Sequence, residues 1–219
     1  MANSPARSLR PHGGYAPPAE AATPLTPTQL LASLREALSP WERGTPFWIF
    51  AYGSLMWNPS FAFDARHVAT IRGYHRSFRL WSRMNRGTPE NPGLVLTLEC
   101  GGSCRGLVYR IAPDRAQEEM HAIWKREMSF DSYRPKWLNC TVGDEPIRAL
   151  AFTVNRACTG YAGEIPTEVM VNALASAKGR YGPACDYLFK TTETLHAHGI
   201  RDARVEHLTS LVRARVHAK

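Results

Sequence analysis

An unbroken run of apolar and aromatic residues, Phe47-Trp48-Ile49-Phe50-Ala51-Tyr52, stops abruptly at Gly53-Ser54. A short apolar run bounded by a breaker reads as a buried strand. Further strand patterns lie at 68–82, 94–99, 105–111, 136–142 and 147–154, after which the periodicity turns helical at 167–178, 184–198 and 203–216. Gly199 stands where a C′ residue ends the second of these helices, and Asp202 is suited to cap the third. Upstream, Thr26-Pro27-Thr28-Gln29 combines a capping box with a proline in the first turn and opens a short helix. Leu30, Leu31, Leu34 and Leu38 are expected on its docking face, and Pro40 with Gly44-Thr45-Pro46 ends it. A strand-rich middle followed by a helical end predicts an α+β fold.

One helix predicted inside the strand-rich part, 114–128, carries a chemical oddity. Asp114 is the expected N-cap, Gln117 falls at the capping-box position, Glu118 and Glu119 lie early, and Lys125 and Arg126 lie late, as the helix dipole favours. Its apolar stripe runs through Ala116, Met120, Ile123 and Trp124, and the next residue in that phase is Glu127. A carboxylate on an apolar face loses solvation, so its pKa rises and it becomes a stronger base once ionised. A second reading stays open: beside Lys125 and Arg126, Glu127 is an ordinary ion-paired acid near a helix end.

The turn after the first strand is the other candidate. Glycine at position 53 permits backbone geometry that a Cβ resists, and the neighbouring amides can then point outward together. Such a concave set of N–H groups binds a carboxylate or an oxyanion without any side chain. The plain alternative is an ordinary strand end.

These elements resemble the ChaC family of γ-glutamylcyclotransferases, in its glutathione-specific branch. The likeness runs from Trp48-Ile49-Phe50-Ala51-Tyr52-Gly53-Ser54-Leu55-Met56-Trp57-Asn58-Pro59, through Arg86-Gly87-Thr88-Pro89 and Pro92-Gly93, to Trp124-Lys125-Arg126-Glu127-Met128 and Tyr187-Leu188-Phe189. Ala51 stands where many members have glycine, and Met128-Ser129-Phe130 replaces a glycine-rich stretch of eukaryotic-like members, so the likeness is to the bacterial branch. The resemblance implies a small mixed β-barrel flanked by helices and glutathione as substrate, with no cofactor; separately, Cys100 and Cys104 are a close pair without two further ligands at recognised spacing, so no metal is expected. The resemblance further implies Glu127 as catalytic acid and base, and a substrate-holding loop of Ile49, Phe50, Ala51, Tyr52, Gly53, Ser54 and Leu55. Tyr187 is placed near the site on the same ground, while its own pattern fits equally an aromatic that packs Leu188 and Phe189 into the core.

Composition adjusts this picture only at its edges. The chain has 219 residues, 44% of them hydrophobic, enough to bury a core. The net charge of +8 raises the question of nucleic acid, and Arg72, Arg76, Arg79, Arg83 and Arg86 are interleaved with aromatics. Without a nucleic-acid motif, and with strand alternation around Gly73, these arginines are read as a solvated sheet face, some of them attracting anionic glutathione. Cys100, Cys104, Cys140, Cys158 and Cys185 are odd in number and scattered, which reads as reduced thiols of a cytoplasmic protein. Gly101-Gly102-Ser103 is expected to be a hairpin turn between the strands at 94–99 and 105–111. Residues 1–26, rich in proline and alanine, are expected to be a disordered tail, 27–45 a docking helix and linker, and 46–219 the catalytic domain. No apolar stretch of about 20 residues suggests a membrane span.

Overall fold

Five strands close into a barrel: β1 (Phe47–Ala51), β2 (Ala65–Ser82), β3 (Gly93–Ile111), β4 (Tyr133–Val142) and β5 (Glu145–Val154). The computed structural model describes residues 11–16 and 24–218. Around the barrel the order is β1-β3-β2-β4-β5, and the circle is completed by a parallel contact between β1 and β5, with Ile49 opposite Leu150. The other pairings are antiparallel, so the barrel is mixed and the fold α+β, as the resemblance implied. Flanking it are α1 (Pro27–Leu38), α2 (Ala116–Glu127), α3 (Thr167–Ser176), α4 (Ala184–Ala197) and α5 (Ala203–His217), with a minimal hairpin of β6 (Lys178–Gly179) and β7 (Gly182–Pro183) leading into α4.

The expected hairpin at Gly101-Gly102-Ser103 does not form. β3 runs straight through it, still paired with β2, with Cys100 opposite Tyr74 and Ser103 opposite Arg72. Gly101 and Gly102 have φ of +99° and +72°, and Gly73 across from them has +81°, so the glycines make a bulge rather than a reversal. A bulge bends two long paired strands without unpairing them, which lets an 18-residue and a 19-residue strand curl round a small barrel.

Helix α2 begins later than its sequence suggested. Arg115, not Asp114, is the N-cap, and no side chain caps the first turn. The expected stripe is nonetheless the one that is buried: Ala116, Met120, Ile123 and Trp124. Helix α1 has the expected capping box between Thr26 and Gln29, and Asp202 accepts from the Val205 amide at the start of α5. Leu34 is buried and Leu30 and Leu38 pack against the core, whereas Leu31 is exposed. Two indoles fasten α1 in place, Trp124 donating to Ser33 Oγ at 2.8 Å and Trp137 to the Ala37 carbonyl at 2.8 Å. Ser33→Ala leaves the buried Trp124 N–H without its acceptor, so it is expected to cost about 1–3 kcal/mol, read as a lower midpoint in urea unfolding.

The arginine stretch of β2 is not a uniformly solvated face. Arg76 is buried, where it pairs with Asp202 at 3.1 Å and donates to the Arg105 carbonyl. Arg86 is buried as well, donating to the carbonyls of Tyr181 (2.7 Å) and Pro183 (3.2 Å). Of the expected tail, only 11–16 and 24–26 fall among the described residues, and these pack: His12 stacks on Trp81 with centroids 5.3 Å apart, and Pro24 bridges to Phe130. The expectation for the rest of 1–26 lies outside the described residues.

Candidate functional site

β1 carries the chain to one end of the barrel, where it leaves the sheet through Tyr52 and Gly53 into a 3₁₀ turn, Ser54–Met56. The amides of Met56 and Trp57 close back onto the carbonyls of Gly53 and Ser54, at 2.9 and 3.2 Å. Those of Gly53, Ser54 and Leu55 donate to no backbone carbonyl among the described residues, as expected at the open start of a helical turn. A small recess opens beside them, lined by Ala51, Tyr52, Gly53, Ser54 and Leu55 together with Leu96, Glu127, Tyr133, Phe152 and Tyr187.

Glu127 is the last residue of α2, and its side chain keeps only 14% of its exposure. Burial pushes its pKa up, while the Arg126 guanidinium works in the opposite sense. The two readings of its sequence position therefore hold together. Arg126 Nε lies 3.1 Å from Glu127 Oε1, and the same guanidinium donates to the Asn58 carbonyl and Ser60 Oγ, both at 2.6 Å, and to Ser54 Oγ at 3.2 Å. One cation thus ties the carboxylate to the loop that follows β1.

Tyr187 enters from α4. Its ring stands edge-on to those of Trp57 and Phe78, with centroids 5.9 and 6.1 Å away, and its hydroxyl accepts from the Leu96 amide at 3.4 Å and faces the Ser54 amide. Burial lifts this phenol to about 12. Gly53 is required here for space. Its φ is −134°, within the reach of any residue, but a Cβ would sit 2.8 Å from the Tyr187 hydroxyl. The Tyr52 hydroxyl donates to the Phe152 carbonyl at 2.8 Å.

Of the sequence candidates, Ala51, Tyr52, Gly53, Ser54, Leu55, Glu127 and Tyr187 meet at the recess. Ile49 and Phe50 do not line it: both are fully buried in β1, where they pair with Tyr109 and Val108 as part of the barrel wall. Leu96, Tyr133 and Phe152 line the recess without having been singled out. Phe152 and Leu96 read only as apolar strand positions, and Tyr133 precedes the point where the strand pattern at 136–142 becomes recognisable. Among the described residues, no group of three His, Cys, Asp or Glu side chains is arranged to hold a metal, and no helix is long and apolar enough to cross a membrane.

A closed five-stranded barrel with flanking helices is the γ-glutamylcyclotransferase fold. A yeast γ-glutamyl cyclotransferase specific to glutathione, solved as a selenomethionine crystal structure, superposes with a TM-score of 0.73 at 21% identity, over 80% of this chain and 99% of that one. A family model described as ChaC-like protein matches residues 47–215, and the chain belongs to the ChaC family. The glutathione-specific γ-glutamylcyclotransferase of Escherichia coli (strain K12) is 34% identical over 175 residues, 80% of this chain and 76% of its own. The Rattus norvegicus glutathione-specific γ-glutamylcyclotransferase 1 is 32% identical over 202 residues, 89% of this chain and 90% of its own.

Proposed function

We propose that this protein cyclises the γ-glutamyl group of glutathione, forming 5-oxoproline and releasing Cys-Gly, with Glu127 as general base and then general acid. Family membership supports the reaction, and the observation that carries the assignment of Glu127 is its largely buried carboxylate in the recess beside the open turn. The α-amine of the γ-glutamyl group attacks its own γ-carbonyl carbon. A C–N bond forms to that carbon and the amide C–N bond to cysteine breaks. A free α-amine titrates near ~8, so at neutral pH most of it is ammonium, and an ionised Glu127 must take a proton before attack. The proton so gained is returned to the departing nitrogen. No water is consumed and no electrons change hands.

The rest of the work is positioning. Attack within one bound molecule, correctly folded, can account for roughly 7–11 kcal/mol of the barrier. The amides of Gly53 and Leu55 offer donors to the substrate's α-carboxylate, while that of Ser54 is turned to the Tyr187 hydroxyl, which lines the same recess. In the same reading the protein works in the cytosol, which its five free cysteines support.

Incubating the purified chain with glutathione, and separately with γ-glutamyl amino acids, and following 5-oxoproline by mass spectrometry tests the reaction. Product from glutathione is expected; product only from the other compounds would move the assignment to them. The pH profile is a further prediction. Burial holds Glu127 above the ordinary glutamate value of 4.5, so the acid limb of kcat/KM should have its midpoint above 4.5, with activity rising as Glu127 ionises. The basic limb should follow loss of the substrate ammonium, near ~8.

A further inference from the structure

Three tyrosines line the recess, and their hydroxyls are not in the same condition. The proton of Tyr52 is committed to the Phe152 carbonyl at 2.8 Å. The oxygen of Tyr187 accepts from the Leu96 amide at 3.4 Å and faces that of Ser54, which ties it to the loop, although its own proton meets no acceptor among the described residues. Tyr133 is different: among the described residues its hydroxyl has no hydrogen-bond partner, and it is not sealed away, since the side chain lines the recess and remains partly exposed. A phenol placed in a small polar recess without a protein partner is a donor awaiting an acceptor.

Its position is firmly held. Tyr133 opens β4 opposite Val154, and its ring stands edge-on to Phe152 with centroids 6.4 Å apart. The connection from Glu127 to Tyr133 is anchored by Asn155, whose side-chain amide donates to the Asp131 carbonyl at 2.8 Å and whose backbone amide donates to the Ser132 carbonyl at 2.9 Å. Thr153 Oγ1 donates to the Arg134 carbonyl at 2.8 Å on the other flank. Glu127 and Tyr133 are thus presented to one recess by the two ends of a short braced segment.

From this geometry we infer that Tyr133 is a second catalytic residue, whose O–H donates to the γ-carbonyl oxygen as negative charge develops on it during ring closure. The inference rests on the cyclisation proposed above. Attack of the amine turns that oxygen from a neutral carbonyl into an oxyanion, and collapse of the intermediate restores it. Tyr133 keeps its proton throughout and only strengthens a hydrogen bond. Burial pushes the phenol well above its ordinary value, and the Glu127 charge adds to this, so the donor stays protonated while the base is ionised. A pre-placed donor of this kind acts on the transition state more than on the bound substrate.

The test compares Tyr133→Phe with wild type, in kcat and KM for 5-oxoproline release from glutathione and in thermal melting. The ring contact with Phe152 is retained and no protein hydrogen bond is lost, so the melting midpoint should stay within about 2 °C. Loss of one oxyanion donor typically lowers kcat by about 10²–10³-fold, and that fall with KM changed less than about threefold is the expected result. A kcat within about threefold of wild type overturns the role of Tyr133, whatever happens to KM, and leaves the cyclisation standing. Absence of product from wild type overturns both, since there is then no oxyanion to serve.

Discussion

Glu127→Gln is expected to abolish measurable cyclisation of glutathione while leaving the protein folded. Positioned proton transfer contributes about 10²–10⁴-fold, and in the proposed reaction Glu127 serves in both the removal of the ammonium proton and its delivery to the leaving nitrogen, so a fall in kcat toward the upper part of that range is predicted. The amide keeps the shape of the carboxylate. Arg126 loses its 3.1 Å ion pair but retains the Asn58 carbonyl, Ser60 and Ser54 as acceptors. The stability effect has a definite sign. Folding raises the pKa of Glu127, so the folded state holds this proton more tightly than the unfolded chain does. Whatever that preference contributes is fully present below the unfolded pKa and is lost as pH rises through the folded one, where a buried negative charge must be carried. Glutamine carries none. The variant should therefore melt at the same temperature as wild type or higher at pH 7, and its residual activity should lack the acid limb of the profile. A variant that melts many degrees lower would make Glu127 a structural ion-pair partner, and one that retains wild-type kcat would remove it from the mechanism.

What the sequence made legible, and what it did not, follows from the range over which each signal acts. The stripe of α2 was readable because a helix repeats its buried positions every three or four residues, and this alone carried Glu127 to the edge of the core. Capping at Thr26 and Asp202 is local chemistry within three residues and was readable for the same reason. The start of α2 was misread since Asp114 has the right side chain in the wrong place, and nothing short of the tertiary path sets the first helical turn at Ala116. The Gly101-Gly102 bulge was mistaken for a reversal because positive φ serves both; only Gly73 on the facing strand, 28 residues earlier than Gly101, tells them apart. Ile49 and Phe50 belonged to the quoted motif yet sit in the barrel wall, as expected when a strand leads into a loop and only the loop meets the recess. Tyr133 was invisible because its meaning lies in the proximity of β4 to the end of α2, which no periodicity expresses.

Gly53→Ala is the second variant with a large expected effect, and its cause can be isolated. A Cβ at this position would lie 2.8 Å from the Tyr187 hydroxyl and 3.7 Å from Leu96 Cβ. Leu96 is an ordinary contact; Tyr187 is the conflict. A tyrosine hydroxyl is the far end of a side chain, but this ring is buried, stands edge-on to Trp57 and Phe78, and is tied to the Leu96 amide, so it has little room to retreat. Overpacking of this kind costs about 1–3 kcal/mol, which for a chain of this size lowers the melting midpoint by roughly 2–12 °C. The displaced hydroxyl also disturbs the open turn, so kcat/KM for glutathione should fall about 10–100-fold, in line with the loss expected from displacing a positioning group by about 1 Å. Gly53→Val, with two further methyl groups, should lose more of both. The double variant Gly53→Ala with Tyr187→Phe separates the causes. Removing the hydroxyl removes the clash, so the double variant should recover melting temperature relative to Gly53→Ala alone, an interaction of opposite sign to simple additivity. Activity should not recover, since the phenol that closes the recess is then absent. Additive losses in melting temperature would mean that Gly53 is needed for some reason other than the room it leaves for Tyr187.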